Sequence, residues 1–114
     1  MANEEIFKSC VRPAGDYAGV FEYDGEVGYF YLYETEAEHG QKVLGSIRVL
    51  VGTPDFDDAD VFIRWDATES KVGLFIRDHI WAAFDVRTGE KHGGNYRTDI
   101  SAAIPLEVTA AFRA

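Results

Sequence analysis

The chain has 114 residues, of which 46% are hydrophobic, and a formal net charge of −9 at neutral pH. A chain of this length buries a core without metal or disulfide cross-links, so we predict one domain over residues 1–114. The 20 Asp and Glu residues outnumber the 11 Lys and Arg residues. This excess repels phosphates and anionic lipids, which argues against nucleic-acid and membrane partners and makes a basic protein the partner of complementary charge.

Cys10 is the single cysteine, so no disulfide forms within the chain, and a reducing compartment is the simplest setting. The N-terminal sequence MANEEIFKSC carries acids where a secretory signal carries basic residues before a long apolar run. No apolar run approaches the length of a membrane span. We therefore predict a soluble, cytoplasmic protein.

The N-terminal stretch EEIFKSCVR fits either a strand or a short helix, and Pro13 ends either element. As a strand, the stretch would place Phe7, Ser9 and Val11 together on one face. The sequence leaves both alternatives open at this end.

The next stretch, FEYDGEVGYFYLYE, predicts a β-hairpin. Asp24 and Gly25 suit the two central positions of a type I′ turn, since both positions require positive φ. This turn would place Phe21 opposite Gly28, where the ring could cover the bare glycine backbone.

The second strand of this hairpin is apolar on both faces but carries tyrosine on only one. Phe30 and Leu32 have no polar atom and are predicted to face the core, while Tyr29, Tyr31 and Tyr33 share the other face. A tyrosine packs its ring and keeps its hydroxyl in water, which suits a contact surface. The alternative is that the three rings pack a second buried layer beneath a loop.

Three further stretches predict a strand followed by a meander. KVLGSIRVLV alternates so that Val43, Ile47, Val49 and Val51 share a buried face. DVFIRWDA and KVGLFIR form a hairpin through the turn DATES, and IWAAFDVR follows as a third strand that ends at the breaker cluster TGEKHGGN.

The C-terminal stretch PLEVTAAFRA alternates like a strand, which we predict here, although Pro105 also suits the first turn of a helix. The whole pattern predicts a mainly β protein, either an antiparallel sandwich or a partly open barrel of about six to eight strands, with a short terminal helix left open. The predicted core comprises Phe30, Leu32, Ile47, Val49, Ile63, Leu74 and Phe84.

The acidic loop PDFDDAD resembles a calcium loop in composition but fails its pattern. Counted from Asp55, the sixth position is Asp60 where an EF-hand needs glycine, and the twelfth is Asp66 where it needs glutamate. We predict a solvated turn whose charges protect a sheet edge.

No catalytic, metal or cofactor motif is present. His39, His79 and His92 lack the spacing of zinc ligands, and Cys10 lies on an alternating segment typical of a small buried apolar residue. The sequence therefore predicts no cofactor, no metal ion and no catalytic residue.

Two stretches together resemble a small bacterial family of uncharacterised single-domain proteins. They are FEYDGEVGYFYLYE, with its acidic-glycine turn before a GYFY-like run, and the stretch from Val61 to Val86, with a tryptophan, a leucine-rich strand and the AxFD-like AAFD. The resemblance covers about a third of the chain and implies no activity and no site residues. This chain has RDHI, residues 77–80, where the family pattern suggests a glycine-like or proline-like connection.

These observations favour a non-enzymatic binding protein that uses Tyr29, Tyr31 and Tyr33 as its contact face. A concrete form is an immunity or antitoxin-like protein that binds a basic toxin, and a homo-oligomer stays open. The alternative hypothesis is a small-molecule binder or weak hydrolase whose pocket is lined by tyrosines and Trp81.

Overall fold

The structure is a computed structural model that describes residues 5–35, 42–96 and 104–112. In these residues two four-stranded antiparallel sheets follow each other along the chain. The first sheet contains β1 (Ile6–Val11), β2 (Tyr17–Tyr23), β3 (Val27–Glu34) and β4 (Lys42–Val51). The second sheet contains β5 (Val61–Trp65), β6 (Lys71–Ile76), β7 (His79–Asp85) and β8 (Lys91–Gly93). A 3₁₀ turn, Asp58–Asp60, precedes β5, and the helix α1, Leu106–Ala111, follows the second sheet.

The two sheets pack face to face around one core, so the mainly β antiparallel sandwich is confirmed. The rings of Phe30 and Phe84, one from each sheet, have centroids 5.3 Å apart. Gly19 of the first sheet lies so close to the second that a Cβ atom there would be 2.6 Å from Cγ2 of Val72. All seven predicted core residues are buried.

The β2–β3 hairpin forms where predicted, but its predicted register is wrong by two residues. Phe21 pairs with Phe30, and the two central turn residues are Gly25 and Glu26. The carboxylate of Asp24 accepts the amide hydrogen of Glu26 at 2.8 Å, and only Gly25 has positive φ, at 101°. A shift of two residues leaves every side chain on its predicted face, because strand side chains alternate with a period of two.

The predicted burial of β4 is wrong at both of its ends. Irregularities in the β3–β4 pairing interrupt the alternation, so Val43 pairs with Tyr33 and Val51 pairs with Val27 on the outer face. Val43 is 46% exposed and Val51 is 67% exposed. An extra residue in one strand reverses the facing of the residues that follow it, which a strict alternation cannot anticipate.

The two chain ends differ in structure. The N-terminal stretch is the edge strand β1, whereas the predicted C-terminal strand is wrong and its residues form α1. Pro105 precedes the helix, and Val108 and Phe112 recur four residues apart, so both reach the outer face of the second sheet. Among the described residues no helix is long and apolar enough to cross a membrane.

The β6–β7 turn consists of two residues without glycine. Arg77 and Asp78 have φ of 51° and 69°, which matches a type I′ turn. The Arg77 guanidinium lies 3.3 Å from the carboxylate of Asp55 and 3.6 Å from that of Asp60. Arg77 and Asp78 thus form a tight turn at the place where the family pattern suggests a glycine-like or proline-like connection.

The predicted breaker cluster TGEKHGGN contains a short strand, β8, which corrects the prediction of a plain loop. Gly93 has a φ of 90°, and a Cβ atom there would lie 2.2 Å from the carbonyl oxygen of Trp81. After β8 the chain turns towards the first sheet, where the amide of Asn95 donates to the carbonyl of Arg48 at 3.2 Å. This return places β8 beside β4 and closes one side of the sandwich.

Candidate binding face

The outer face of the first sheet carries the three predicted tyrosines. Cross-strand pairing arranges its side chains in rows, one of which runs from Phe7 through Glu22 and Tyr29 to Arg48. We call this surface the tyrosine face. Its members are Phe7, Ser9, Val11, Ala18, Val20, Glu22, Val27, Tyr29, Tyr31, Tyr33, Val43, Ser46, Arg48 and Val51.

The tyrosines form a continuous ladder along β3. The rings of Tyr29 and Tyr31 stack with centroids 5.7 Å apart, and Tyr31 meets Tyr33 edge to face at 5.9 Å. All three are half-buried, and Val20, the cross-strand partner of Tyr31, is only 8% exposed. The rings therefore lie partly packed on the sheet, which makes them rigid while leaving part of each accessible.

The centre of the ladder has a distinct electrostatic environment. Partial burial, and then the nearby negative charge of Glu22, raise the pKa of Tyr31 above its ordinary value. The Tyr31 hydroxyl therefore stays protonated at neutral pH and can donate a hydrogen bond. Glu22 is exposed on one side of Tyr29, and the exposed Arg48 lies on the other side.

Exposed apolar side chains surround the ladder. In the described ranges six large hydrophobic residues are exposed, and four of them belong to this one face. These four are Phe7, Val11, Val43 and Val51. Exposed apolar residues that cluster around aromatic rings mark a contact surface more often than scattered ones do.

The outer face of the second sheet has the opposite character because α1 covers it. Phe112 packs edge to face on Phe75 with centroids 5.5 Å apart, and Phe75 stacks on Phe62 at 5.1 Å. Ala83 beneath them is fully buried. The chain thus closes one outer face of the sandwich with its own helix, while Phe7, Val11, Val43 and Val51 stay exposed on the tyrosine face.

A cleft of about 480 Å³ lies where β4 meets the chain that returns from β8. It shares residues with the tyrosine face. The side of the first sheet contributes Tyr29, Ser46 and Arg48, and the returning chain contributes Lys91, His92 and Asn95. No carboxylate lines this cleft among the described residues.

The structure corrects the expected place of Trp81. This residue is 6% exposed and packs edge to face against Tyr96 at 4.7 Å, so it belongs to the core and not to the cleft. The Tyr96 hydroxyl donates to a carboxylate oxygen of Asp55 at 2.7 Å, and burial together with this bond raises the pKa of Tyr96 to about 12.

Three carboxylates of the acidic loop, Asp55, Asp57 and Asp58, are exposed, while Phe56 of the same loop is buried in the core. The carboxylates also form defined contacts. Asp57 caps the 3₁₀ turn by accepting the amide of Ala59 at 3.0 Å, and Asp58 lies 2.9 Å from the Lys8 ammonium. Across the described part of the chain, no three His, Cys, Asp or Glu side chains form a group that could hold a metal ion.

The remaining candidate residues lie far apart in the fold. Cys10 is half-buried on the inner face of β1, and burial raises the pKa of its thiol. His79 is exposed at the start of β7, and His92 lies in β8. His39 lies outside the described residues.

Sequence reasoning did not assign Val43, Val51, Arg48 or Lys91 to this region. Two of them reach the face only because of irregular pairing, and the other two meet only because β8 returns to β4. No local pattern in the sequence carries that information.

Comparison with known proteins gives a family but no characterised relative. No curated protein matches the chain, and no solved structure does. A family model described as an uncharacterized protein conserved in bacteria, DUF2251, matches residues 1–103. The chain therefore belongs to this uncharacterised bacterial family.

Proposed function

We propose that this protein is a non-enzymatic binding protein that contacts a basic protein partner through the tyrosine face. The observation that carries the proposal is the asymmetry of the sandwich. The outer face of the second sheet is covered by α1, whereas the tyrosine face leaves Phe7 61% exposed and Val51 67% exposed.

The composition of the face supports a protein contact. Tyrosine is enriched at the centres of interfaces because its ring buries a large area at low entropic cost and its hydroxyl finds a partner. The ladder of Tyr29, Tyr31 and Tyr33 offers three such rings in fixed positions. Their mutual packing has already restricted their rotamers, so less entropy is lost on binding.

Charge supports a basic partner. The protein carries a formal net charge of −9, and Glu22 projects from the tyrosine face beside Tyr29. A field of this sign accelerates the approach of a basic partner and disfavours an acidic one. An immunity or antitoxin-like protein bound to a basic toxin is one concrete form, and a toxin gene adjacent to this gene in bacterial genomes would support it.

We place the interaction in the cytoplasm, because Cys10 has no second cysteine to pair with. The alternative of a weak hydrolase receives less support. Glu90 lies 3.6 Å from Nε2 of His92, but no described serine, threonine or cysteine side chain is hydrogen-bonded to that imidazole.

Affinity capture from the native bacterial extract tests the proposal, with bound proteins identified by mass spectrometry. We expect wild type to retain a basic protein that Tyr31→Ala loses, because truncating a central aromatic residue costs about 2 kcal/mol or more in binding. Glu22→Gln should weaken retention at low salt and have less effect at high salt.

Matched controls lie on the opposite side of the molecule. Leu106 is 73% exposed on α1 and Glu107 is exposed beside it, so Leu106→Ser and Glu107→Gln should retain the partner. Retention by Tyr31→Ala equal to that of wild type would contradict the proposal. A wild-type dimer in sedimentation that Tyr31→Ala converts to monomer would contradict it too, because a second copy would then occupy the face.

A further inference from the structure

The cleft beside the tyrosine face is built by two distant parts of the chain. The segment after β8 runs along β4, where the amide of Asn95 donates to the Arg48 carbonyl at 3.2 Å. Gly94 makes this approach possible, since a Cβ atom there would lie 2.9 Å from that same carbonyl oxygen. The cleft is therefore a fixed feature of the sandwich edge and not a gap between loose loops.

Two cations without an ion-pair partner in the described chain line this cleft. Five of the nine described Lys and Arg side chains form ion pairs, namely Lys8, Arg12, Lys71, Arg77 and Arg87. Arg48 and Lys91 are among the other four, and both lie at the cleft. The Lys91 ammonium donates to the carbonyl of Ser46 at 3.2 Å, which uses one of its three hydrogens.

This arrangement is unusual for so acidic a protein. With 20 Asp and Glu residues against 11 Lys and Arg residues, most cations have a carboxylate within reach. Glu90 lies 3.6 Å from Nε2 of His92, which lines the cleft, but it forms no ion pair with Arg48 or Lys91. The cleft thus brings together two cations, Arg48 and Lys91, that form no ion pair with a described carboxylate.

We propose that the cleft binds a small organic carboxylate with a planar apolar body. Arg48 and Lys91 supply charged donors for the carboxylate, and the Arg fork matches carboxylate geometry. The Tyr29 ring in the wall supplies a flat surface for the body, and Asn95 adds an amide. A volume of about 480 Å³ lies within the usual range of small-molecule sites.

The overall charge selects among anions. A formal net charge of −9 opposes every anion in proportion to its charge, so a monoanion pays about half the penalty of a phosphate dianion. The cleft also has more room than an inorganic anion fills. Both considerations favour an organic carboxylate, and neither depends on whether the tyrosine face binds a protein.

Titration of ¹⁵N-labelled protein with benzoate, phenylacetate and indole-3-acetate tests the proposal by NMR. We expect saturable shifts of the amides of Arg48, Gly93 and Asn95 with at least one of these probes. Arg48→Gln should weaken that binding about tenfold or more, as loss of a charge-assisted bond does. Asn95→Asp should abolish it, because it places a carboxylate in the lining.

The control variant is Lys42→Gln, which removes an exposed cation at the start of the same strand. This variant should bind within about twofold of wild type, because screening at physiological salt limits effects between distant charges. The dispersion of each variant's spectrum reports whether it is folded.

Four results would overturn the proposal: no saturable shift with any of the three carboxylates, equal shifts with neutral benzamide, equal binding of inorganic phosphate, or equal weakening by Lys42→Gln. If wild type retained no basic protein from the extract but still bound the carboxylate, that result would contradict the proposed function alone. The two ideas therefore fail separately.

Discussion

The close approach of the two sheets at Gly19 gives a stability prediction that can be worked from the structure. A Cβ atom at this position would lie 2.6 Å from Cγ2 of Val72 and 3.1 Å from Cγ2 of Ile63. Cβ atoms essentially never lie under 3.0 Å from a non-bonded heavy atom, so Gly19→Ala must displace the Val72 methyl or separate the sheets. Val72 is fully buried, and the close packing of protein cores leaves little space for its methyl group to move into.

Two opposing effects decide the size of the change. Overpacking a well-packed core by a methyl group costs about 1 to 3 kcal/mol. Alanine also has less conformational freedom than glycine in the unfolded chain, which stabilises the folded state by about 0.4 to 1 kcal/mol. Overpacking is the larger effect, so we expect Gly19→Ala to lower the free energy of unfolding by about 1 to 2 kcal/mol.

A double-mutant cycle read by urea denaturation checks this reasoning. Val72→Ala alone removes the clashing methyl and should itself be destabilising, because it leaves a cavity. In the Val72→Ala background the closest clash is gone, although Cγ2 of Ile63 and Cζ of Phe30 still lie 3.1 Å and 3.2 Å from the added Cβ. Gly19→Ala should therefore cost clearly less in this background than in the wild type. An equal loss from Gly19→Ala in both backgrounds would refute the steric argument.

Three further predictions concern other parts of the sandwich. Leu74→Ala should lower the free energy of unfolding by about 2 to 5 kcal/mol, because Leu74 is fully buried, and an unchanged urea midpoint would mean that the core assignment is wrong. Asp66 is buried; burial acts to raise its pKa, but hydrogen bonds from the amides and hydroxyl of the β5–β6 turn outweigh burial and lower it. The ionised Asp66 therefore stabilises the fold above the unfolded Asp pKa of about 3.9, and this contribution is lost as pH falls through the lower folded value. Asp66→Asn should be destabilising at neutral pH and much less so in acid. Urea midpoints of wild type and variant at the two pH values measure this difference. Asp78→Gly should raise the thermal midpoint, since the residue has a φ of 69° that glycine adopts without strain, and a lower midpoint would show that the aspartate side chain stabilises the turn.

The faces of the strands could be predicted from the sequence more reliably than their pairing. Alternation assigned Phe30 and Leu32 to the core and Tyr31 to the outer face, and that assignment tolerated a register error of two residues. The face on which a side chain lies follows from the local alternation of the strand, whereas the pairing register depends on the turn. Here the Asp24 carboxylate moves the turn one residue along by binding the amide of Glu26.

The features that the sequence could not predict depend on contacts between distant segments. Nothing local distinguishes Val43 from Ile47, yet irregular pairing with β3 leaves one exposed and buries the other. The terminal stretch is a helix whose Val108 and Phe112 cover Phe75. The apolar surface around Phe75 exists only in the folded second sheet, so the sequence of the terminal stretch does not reveal it. The cleft likewise needs the return of β8 to β4.

The distribution of stability across the sandwich explains how an aromatic outer face can be kept for contact. The inner face of the first sheet supplies fully buried side chains such as Phe21 and Phe30, so the core does not need the tyrosines. Tyr31 covers part of the outer surface of Val20 and is itself only half-buried, which makes its truncation cheaper than a core truncation. A face that contributes little to folding can change to fit a partner without unfolding the domain. The closed outer face of the second sheet has no such freedom, because Phe75 and Phe112 there are buried against each other.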